Sequence, residues 1–566
     1  MIKLARVFSD NMVLQCGQEI AVWGTSDAEG EISVLLNGDE ICRAKVPEGE
    51  FRLMLPAQEP MCDAQLTVGD FVVKGVDIGE VWVAAGQSNM EFLLKYVKDI
   101  DEELSSADDL HLRMYTVGQY SFKGQRELGY KAWNPWDRWI KYGENGTDAF
   151  SAVAVFFAKK LRTKGVPVGI INCSWGGTKA CAWTDKQLLT GELKISIEDF
   201  EKNCAALNMK KYEIIKQYVW PARFAQPAPG SNYSEMIMKN TFRPKEMMKI
   251  MEGLYSPQNS QENGNENANE MTSPFAPLEE MIGETISAAD FMAVGPGNEN
   301  EPGTLYDNMV SEIAGYSTRG VLWYQGCSDE DHADMYDQMF DAVVRCWRGS
   351  WKAVNPAQER MPFVFVQLAP YGTWMMNSNA AYPTLRESQE RAYHNIPDVY
   401  MTSITDLGNV FDIHPKEKKP VGERMYLLAD KYVYGNMDVY ADSPIGKSVE
   451  RTSDDTIEIC FENGDNLHLV SQDFAGYNGF TVEEIKEEDP SLVPPVLDGI
   501  NALTVLANGQ PIQDAQCSIS DHILTVKSAE LHGVQDIVVQ FARTGFYKVN
   551  LYNKAELPVR PFEISI

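Results

Sequence analysis

Histidine is scarce in this chain, seven among 566 residues, and none falls in an H-E-x-x-H or a Cys/His zinc pattern. No structural metal site is therefore expected. The ten cysteines, Cys16, Cys42, Cys62, Cys173, Cys181, Cys204, Cys327, Cys346, Cys460 and Cys517, never form a C-x-x-C. The opening MIKLARVFSDNMVLQ has no sustained apolar core and no small-residue cleavage site, so no export signal is expected. The cysteines then read as free thiols and the expected location is cytoplasmic. Long apolar runs are missing as well: AVAVFFA at 152–158 is far too short to span a bilayer. Basic residues are outnumbered, 50 to 81, and the formal net charge of -31 disfavours nucleic acid and anionic membrane surfaces as partners. No internal repeat is evident, and oligomeric state cannot be read. What is present is ordinary soluble-protein material, 44% apolar, in a chain long enough for two or three domains.

The chain divides by texture. Residues 1–75 carry short alternating stretches, EIAVWG at 19–24, EISVLLNGD at 31–39 and FRLMLPA at 51–57, which predict a small antiparallel β-domain. From Val76 the pattern changes. VDIGEVWVAAG at 76–86, VPVGIINCSWGG at 166–177, STRGVLWYQG at 317–326 and MPFVFVQLAP at 361–370 are apolar runs suited to buried parallel strands. They alternate with helical stretches such as FSAVAVFFAKKL at 150–161 and DMYDQMFDAVVRCW at 334–347. This predicts a three-layer α/β domain over 76–439, with ligands at the carboxyl ends of the strands. Residues 185–300 read as an insertion into it, containing two mobile surface loops, SPQNSQENGNENANE at 256–270 and GPGNENEPG at 295–303. Residues 440–566 return to short strands, TIEICF at 456–461, HILTVK at 522–527 and DIVVQF at 536–541, and predict a C-terminal β-sandwich.

Four strand ends carry chemistry. In GQSNM, Gly86–Met90, Ser88 sits at a strand-to-helix turn with its hydroxyl exposed, as a nucleophile or simply as a helix cap. The pattern is not G-x-S-x-G. WGGT, Trp175–Thr178, follows another strand, and its paired glycines allow close approach of a backbone N–H to a ligand. In WYQGCSD, Trp323–Asp329, Gln325 ends a strand with an amide able to donate to an oxyanion. DLGNVFDIHP, Asp406–Pro415, places Asp412 two residues before His414, as a general base with a supporting acid requires. Acyl transfer needs a hydroxyl, a base and oxyanion donors, and one parallel sheet would gather these four ends.

In these blocks the sequence resembles the sialate O-acetylesterase family, a branch of the SGNH hydrolases. FSDNMVLQ with VWGT, GEVWVAAGQSNME, INCSWGGTKACAW, LYDNM at 305–309, VLWYQGCSD, LRESQ at 385–389, DIHPKEKKPVGERM and LYNKAELPVRPF at 551–562 follow the family in order. The resemblance implies an SGNH-like α/β core flanked by N- and C-terminal β-domains. It implies an esterase that removes O-acetyl groups from a carbohydrate, with O-acetylated sialic acid expected first and acetylated plant polysaccharides such as xylan as the alternative. Ser88 is then the nucleophile and His414 the base. Asp412 is the expected acid, with Asp406 in the same loop as its rival. The oxyanion hole combines the Ser88 N–H, the N–H of Gly176 or Gly177, and the Gln325 side chain. Gln87, Asn89 and Trp175 are substrate-binding candidates. Arg386 is the candidate partner for a sialate carboxylate, against a structural salt bridge. Trp323, Tyr324 and Trp374 join Trp175 as a sugar-stacking wall or as core. No cofactor or metal is implied. One departure stands out: the family reads Q-G-E where this chain has Gln325, Gly326 and Cys327. Cys327 is expected to be a packed thiol rather than a second nucleophile. A non-catalytic carbohydrate-binding protein is the reading of another class.

Overall fold

The computed structural model describes residues 1–98, 100–125, 137–224, 233–255, 276–287, 290, 293–374, 377–470 and 479–566. Its centre is a sheet in the order Trp139–Tyr142, Asp109–Thr116, Val168–Ser174, Phe71–Gly86, Gly320–Tyr324, Phe363–Val366, Val399–Thr402. All neighbours are parallel except the edge strand Trp139–Tyr142. Val81 to Ala85 are wholly buried, which is why they read as a continuous apolar run rather than an alternating one.

Helices cover both faces. Trp82 pairs with Gly320 in the ladder and Trp323 pairs with Ala85, so alternation sends the two indoles to opposite sides of the sheet. Phe157, on the helix Ala152–Arg162, meets Trp82 at 5.0 Å. Phe340, on the helix Tyr336–Val354, stacks on Trp323 at 5.7 Å. The helix Lys419–Tyr432 packs beside Ala152–Arg162 on the first face.

Two strands of the sheet, Asp109–Thr116 and Val399–Thr402, have no strong sequence signal. The first carries His111 and Arg113 because its lower end is tied to the buried Asp77, and the second is only four residues long. The strand Phe71–Gly86 runs unbroken through residues 75 and 76. Its first half pairs with Met61–Val68 and Val13–Gln15 of the N-terminal sheet, and its second half is the centre of the parallel one. At the C-terminal end, two four-stranded antiparallel sheets share a core of residues such as Ile457, Ile459, Val505, Leu524 and Val539.

Between residues 185 and 300 the described chain is mainly helical, with Ile195–Ala206, Met209–Phe224, Tyr233–Lys239, Pro244–Tyr255 and Ala276–Ile282. The expected loop at 256–270 lies outside the described residues. The other expected mobile loop, at 295–303, is not one: Asn298 and Glu299 are buried. Its polar groups serve one another and their neighbours. Gly297 N–H donates to Glu301 at 2.6 Å, Ser121 donates to the Gly297 carbonyl at 2.8 Å, and Asn300 Nδ2 donates to the Gly177 carbonyl at 3.1 Å.

At Gly422 the two helices of the first face approach each other closely. A Cβ there would stand 2.4 Å from the Val153 carbonyl and 2.7 Å from the Phe157 nitrogen, both backbone atoms. Gly422→Ala is expected to force the helices apart and cost about 1–3 kcal/mol. Thermal unfolding of the two forms checks this, and an unchanged midpoint would show that the contact is not limiting.

Candidate active site

Three strand ends lie level with one another: Gly86 pairs with Ser174 on one side and with Tyr324 on the other. Their loops therefore leave the sheet together. Gly86 has φ +133°, and a Cβ on it would fall 2.3 Å from the Tyr324 carbonyl, so no other residue fits. The chain then turns through Ser88–Glu91, a single helical turn.

His414 reaches this turn from the loop ahead of Lys419–Tyr432. Its Nε2 lies 2.9 Å from Ser88 Oγ. Its Nδ1 lies 3.2 Å from Asp412 Oδ1, which also accepts the His414 backbone N–H at 2.8 Å. With the ring proton on Nδ1, Nε2 is the acceptor for the serine hydroxyl. Lys416 Nζ sits 2.6 Å from Asp412 Oδ2 and donates to the Met238 carbonyl at 2.6 Å, which joins the helical insertion to the histidine loop. Trp374 meets the imidazole edge-on at 5.0 Å. Of the two acids weighed from sequence, Asp412 is on the imidazole. Asp406 is bonded to Arg424 at 2.7 and 2.6 Å and to the Tyr552 hydroxyl at 3.2 Å.

The electrostatics favour a neutral imidazole beside an ionised carboxylate. Burial pushes the His414 pKa below its ordinary value; Asp412 opposes this, and Lys416 and Lys418 add to it. Burial alone would raise Asp412, but His414 and Lys416 bring it below the usual carboxylate value. A hydroxyl, an imidazole and a carboxylate in such a row can move a proton from oxygen to nitrogen and hold the resulting imidazolium.

Several expected ligand contacts are internal ties instead. Gln87 is buried; it accepts the Gly326 N–H at 3.0 Å and donates to Ser328 Oγ at 3.2 Å. Asn89 is buried too, donating to the Ile413 carbonyl at 3.1 Å and accepting from Lys418 Nζ. Both bind the serine turn to neighbouring loops, which leaves their polar atoms committed to protein. Gln325 is fully buried: its amide donates to the Thr178 carbonyl at 3.0 Å and to Asp329, while its oxygen accepts from Tyr336. Both amide hydrogens are used, so in this structure Gln325 braces the glycine turn rather than pointing a donor at an oxyanion. Gly176 N–H is taken by Glu91 Oε2 at 2.5 Å. Gly177 is exposed, with φ +75°.

Arg386 is removed from any ligand role. It is 1% exposed, donates to the Thr544 carbonyl at 2.6 Å and the Gly545 carbonyl at 3.3 Å, and lies over the Tyr547 ring at 4.9 Å. It is a structural arginine that holds the C-terminal segment, through carbonyls rather than a salt bridge. Trp175, Trp323 and Tyr324 are core, and Trp374 is the half-buried aromatic at the imidazole. Cys327 is buried and its thiol is pushed up to about 11, mainly by burial, so it stays protonated and packs against Asn89 at 3.8 Å. Away from this site, Cys62, Asp77 and His111 bring potential metal-ligand atoms together, but Arg113 sits on Asp77 at 2.7 Å and supplies its countercharge.

Sequence reasoning missed Lys416, Lys418 and Glu91. Lys418 is wholly buried under the serine turn between the Phe92 and Tyr324 rings, and burial, with Lys416 next, brings its pKa down to about 7. The available signal for Glu91 was its spacing: three residues after a helical Ser88 places it on the same face.

Residues 284–426 match the family model described as carbohydrate esterase, sialic acid-specific acetylesterase. The chain is 24% identical over 479 residues to the sialate O-acetylesterase of Mus musculus, covering 79% of this chain and 76% of that one. To the Homo sapiens sialate O-acetylesterase it is 22% identical over 484 residues, covering 79% and 74%. The crystal structure of a carbohydrate acetylesterase from Xanthomonas citri superposes with a TM-score of 0.66 at 23% identity, over 100% of this chain and 99% of that one. The matched esterase segment contains Gln325, Asp412 and His414 but not Ser88 or the glycine turn, which reach the histidine through the sheet rather than through the matched sequence.

The His414 imidazole is expected to titrate below the ordinary histidine value. Lys416→Met removes a cation that disfavours the imidazolium and frees Asp412 to favour it, so the titration should move to higher pH, and with it the acid limb of any reaction needing neutral imidazole. Histidine NMR across pH on both forms checks this; an unmoved titration would show that solvent screens Lys416 from the ring.

Proposed function

We propose that the chain is a serine carbohydrate O-acetylesterase, with an SGNH-hydrolase-type core over 76–439 and β-sandwich-type domains at 1–75 and 440–566. The observation that carries this is the hydrogen-bonded row Ser88 Oγ, His414 Nε2 and Nδ1, Asp412 Oδ1. Ser88 Oγ attacks the acetyl carbonyl carbon while His414 Nε2 takes its proton and Asp412 steadies the imidazolium. The carbonyl oxygen becomes an oxyanion, for which the backbone N–H groups of Ser88 and Gly177 are the proposed donors, Gly176 being engaged by Glu91. The tetrahedral intermediate collapses, the C–O bond to the sugar breaks, and the His414 proton goes to the departing sugar oxygen. Water, deprotonated by His414, then attacks the acetyl-Ser88 carbonyl; the bond from that carbon to Ser88 Oγ breaks, the His414 proton returns to Ser88 Oγ, and acetate is released.

The names of the relatives speak for O-acetylated sialic acid. The expected carboxylate partner, Arg386, is committed to the C-terminal segment. Acetylated neutral sugars such as xylo-oligosaccharides therefore stand as equal candidates. A purely binding protein has no use for a base bonded to a half-buried serine hydroxyl, and the geometry favours the enzyme.

Wild type is expected to release acetate from p-nitrophenyl acetate and from at least one of O-acetylated sialic acid and acetylated xylo-oligosaccharides. Ser88→Ala should lower the rate by at least ~10³-fold and abolish labelling by a fluorophosphonate probe. A wild type that releases no acetate and takes no label would move the binding-protein reading to the front.

A further inference from the structure

Glu91 places a carboxyl group beside the serine. It closes the helical turn that Ser88 opens. Its Oε2 accepts the Gly176 N–H at 2.5 Å and its Oε1 accepts from Gln119 Nε2 at 2.9 Å. Gln119 in turn donates to the Ser174 carbonyl at 3.0 Å, so the group is fixed to the strand end. A Cβ built on Gly176 would lie 3.2 Å from Glu91 Oε2 and 3.2 Å from Ser88 Cβ; carboxylate and nucleophile flank the same glycine. Both partners of the carboxylate are amides, which orient it without cancelling its charge. Burial raises its pKa above the ordinary carboxylate value, and the bonds from Gln119 and Gly176 oppose only part of that rise.

The cations described around the site are spent elsewhere. Lys416 is paired with Asp412, Lys418 is bonded to Asn89 beneath the turn, and Arg386 holds the C-terminal segment. An ester entering between Ser88 and the glycine turn therefore meets the Glu91 carboxylate, and in a partly desolvated cleft like charges repel strongly.

We propose that Glu91 is a specificity-determining residue: its carboxylate selects acetylated sugars that are uncharged around the ester and disfavours those, such as sialic acids, that carry a carboxylate there. This rests on the esterase reading above and names the substrate class of the same site. The Gly176 bond adds a second duty, anchoring the turn that presents the Gly177 N–H.

The test compares O-acetylated sialic acid with its own carboxyl methyl ester, which differs only in charge, alongside p-nitrophenyl acetate and an acetylated methyl xyloside, all at pH 8. For wild type, kcat/KM on the methyl ester should exceed that on the free acid by about tenfold or more. In Glu91→Gln, whose amide oxygen still accepts from Gly176, that ratio should fall towards one. In Glu91→Ala the ratio should fall likewise while kcat drops on every ester, because the turn loses its anchor. Equal wild-type values on free acid and methyl ester, or a ratio that survives in Glu91→Gln, would overturn the proposal while hydrolysis of p-nitrophenyl acetate left the esterase reading standing. If wild type cleaved none of the four esters, both readings would fall together.

Discussion

At Gly86 the backbone of the central strand comes so close to Tyr324 that the neighbouring carbonyl occupies the place of a side chain. This contact fixes where the strand ends and how it leaves the sheet. The Gln87 N–H continues the ladder by donating to the same Tyr324 carbonyl, and its side chain takes the N–H of Gly326 in the next loop. Ser88 is therefore placed by two adjacent strands and not by its own turn. A side chain at residue 86 would push the strands apart and move the serine off His414, and only glycine avoids this while holding φ at +133°.

The charges around the site divide by depth. Beneath the serine turn lie Lys418 and, beside the acid, Lys416. These two cations in a chain of net charge -31 bias His414 towards its neutral form. A base that stays neutral accepts the serine proton without first losing one to solvent. Lys418 is stabilised by Asn89 and by two aromatic faces. Burial, with the Lys416 charge next, brings the Lys418 pKa down to about 7, and the Asp412 carboxylate offsets only part of that. On the other side of the turn the Glu91 carboxyl is held by the Gly176 N–H and by Gln119, and burial raises its pKa.

Much of this was legible from residue patterns. The strands at 76–86, 166–177, 317–326 and 361–370 announce themselves because burial on both faces demands apolar residues throughout, and each expected run contains the observed strand end. Ser88, His414 and Asp412 were legible as types at strand ends, and the structure brings all three together. The direction of a side chain was not legible. Gln325 and Asn89 are polar residues in the right loops, and nothing in one sequence says that their amides turn inward to Thr178 and Ile413. Arg386 fails for the same reason: a long side chain on a helix can serve either end, and here it serves residues 544 and 545, about 160 positions away in the chain. The 295–303 segment looked mobile because Gly, Asn and Glu usually face water, whereas these satisfy one another in turns closed against Ser121 and Gly177.

The C-terminal segment 551–560 acts on the site through the histidine loop. Thr405 donates to the Val559 carbonyl at 2.9 Å, Tyr552 donates to Asp406 at 3.2 Å, and Arg560 pairs with Glu390 at 2.7 Å. Asp406 is also the partner of Arg424 on the helix that follows the loop. The loop is thus clamped at its start by the 551–560 segment and at its end by Lys419–Tyr432, while Asn89 holds Ile413 in between. Asp412 and His414 lie in the short span left between these ties. A loop with its ends free would lose the 2.9 Å contact to Ser88 through ordinary fluctuation, since a histidine turn of this length has few bonds of its own. Clamping it from the 551–560 segment fixes Asp412 and His414 from outside the serine turn, so the geometry around His414 depends on a stretch of chain well over a hundred residues further on.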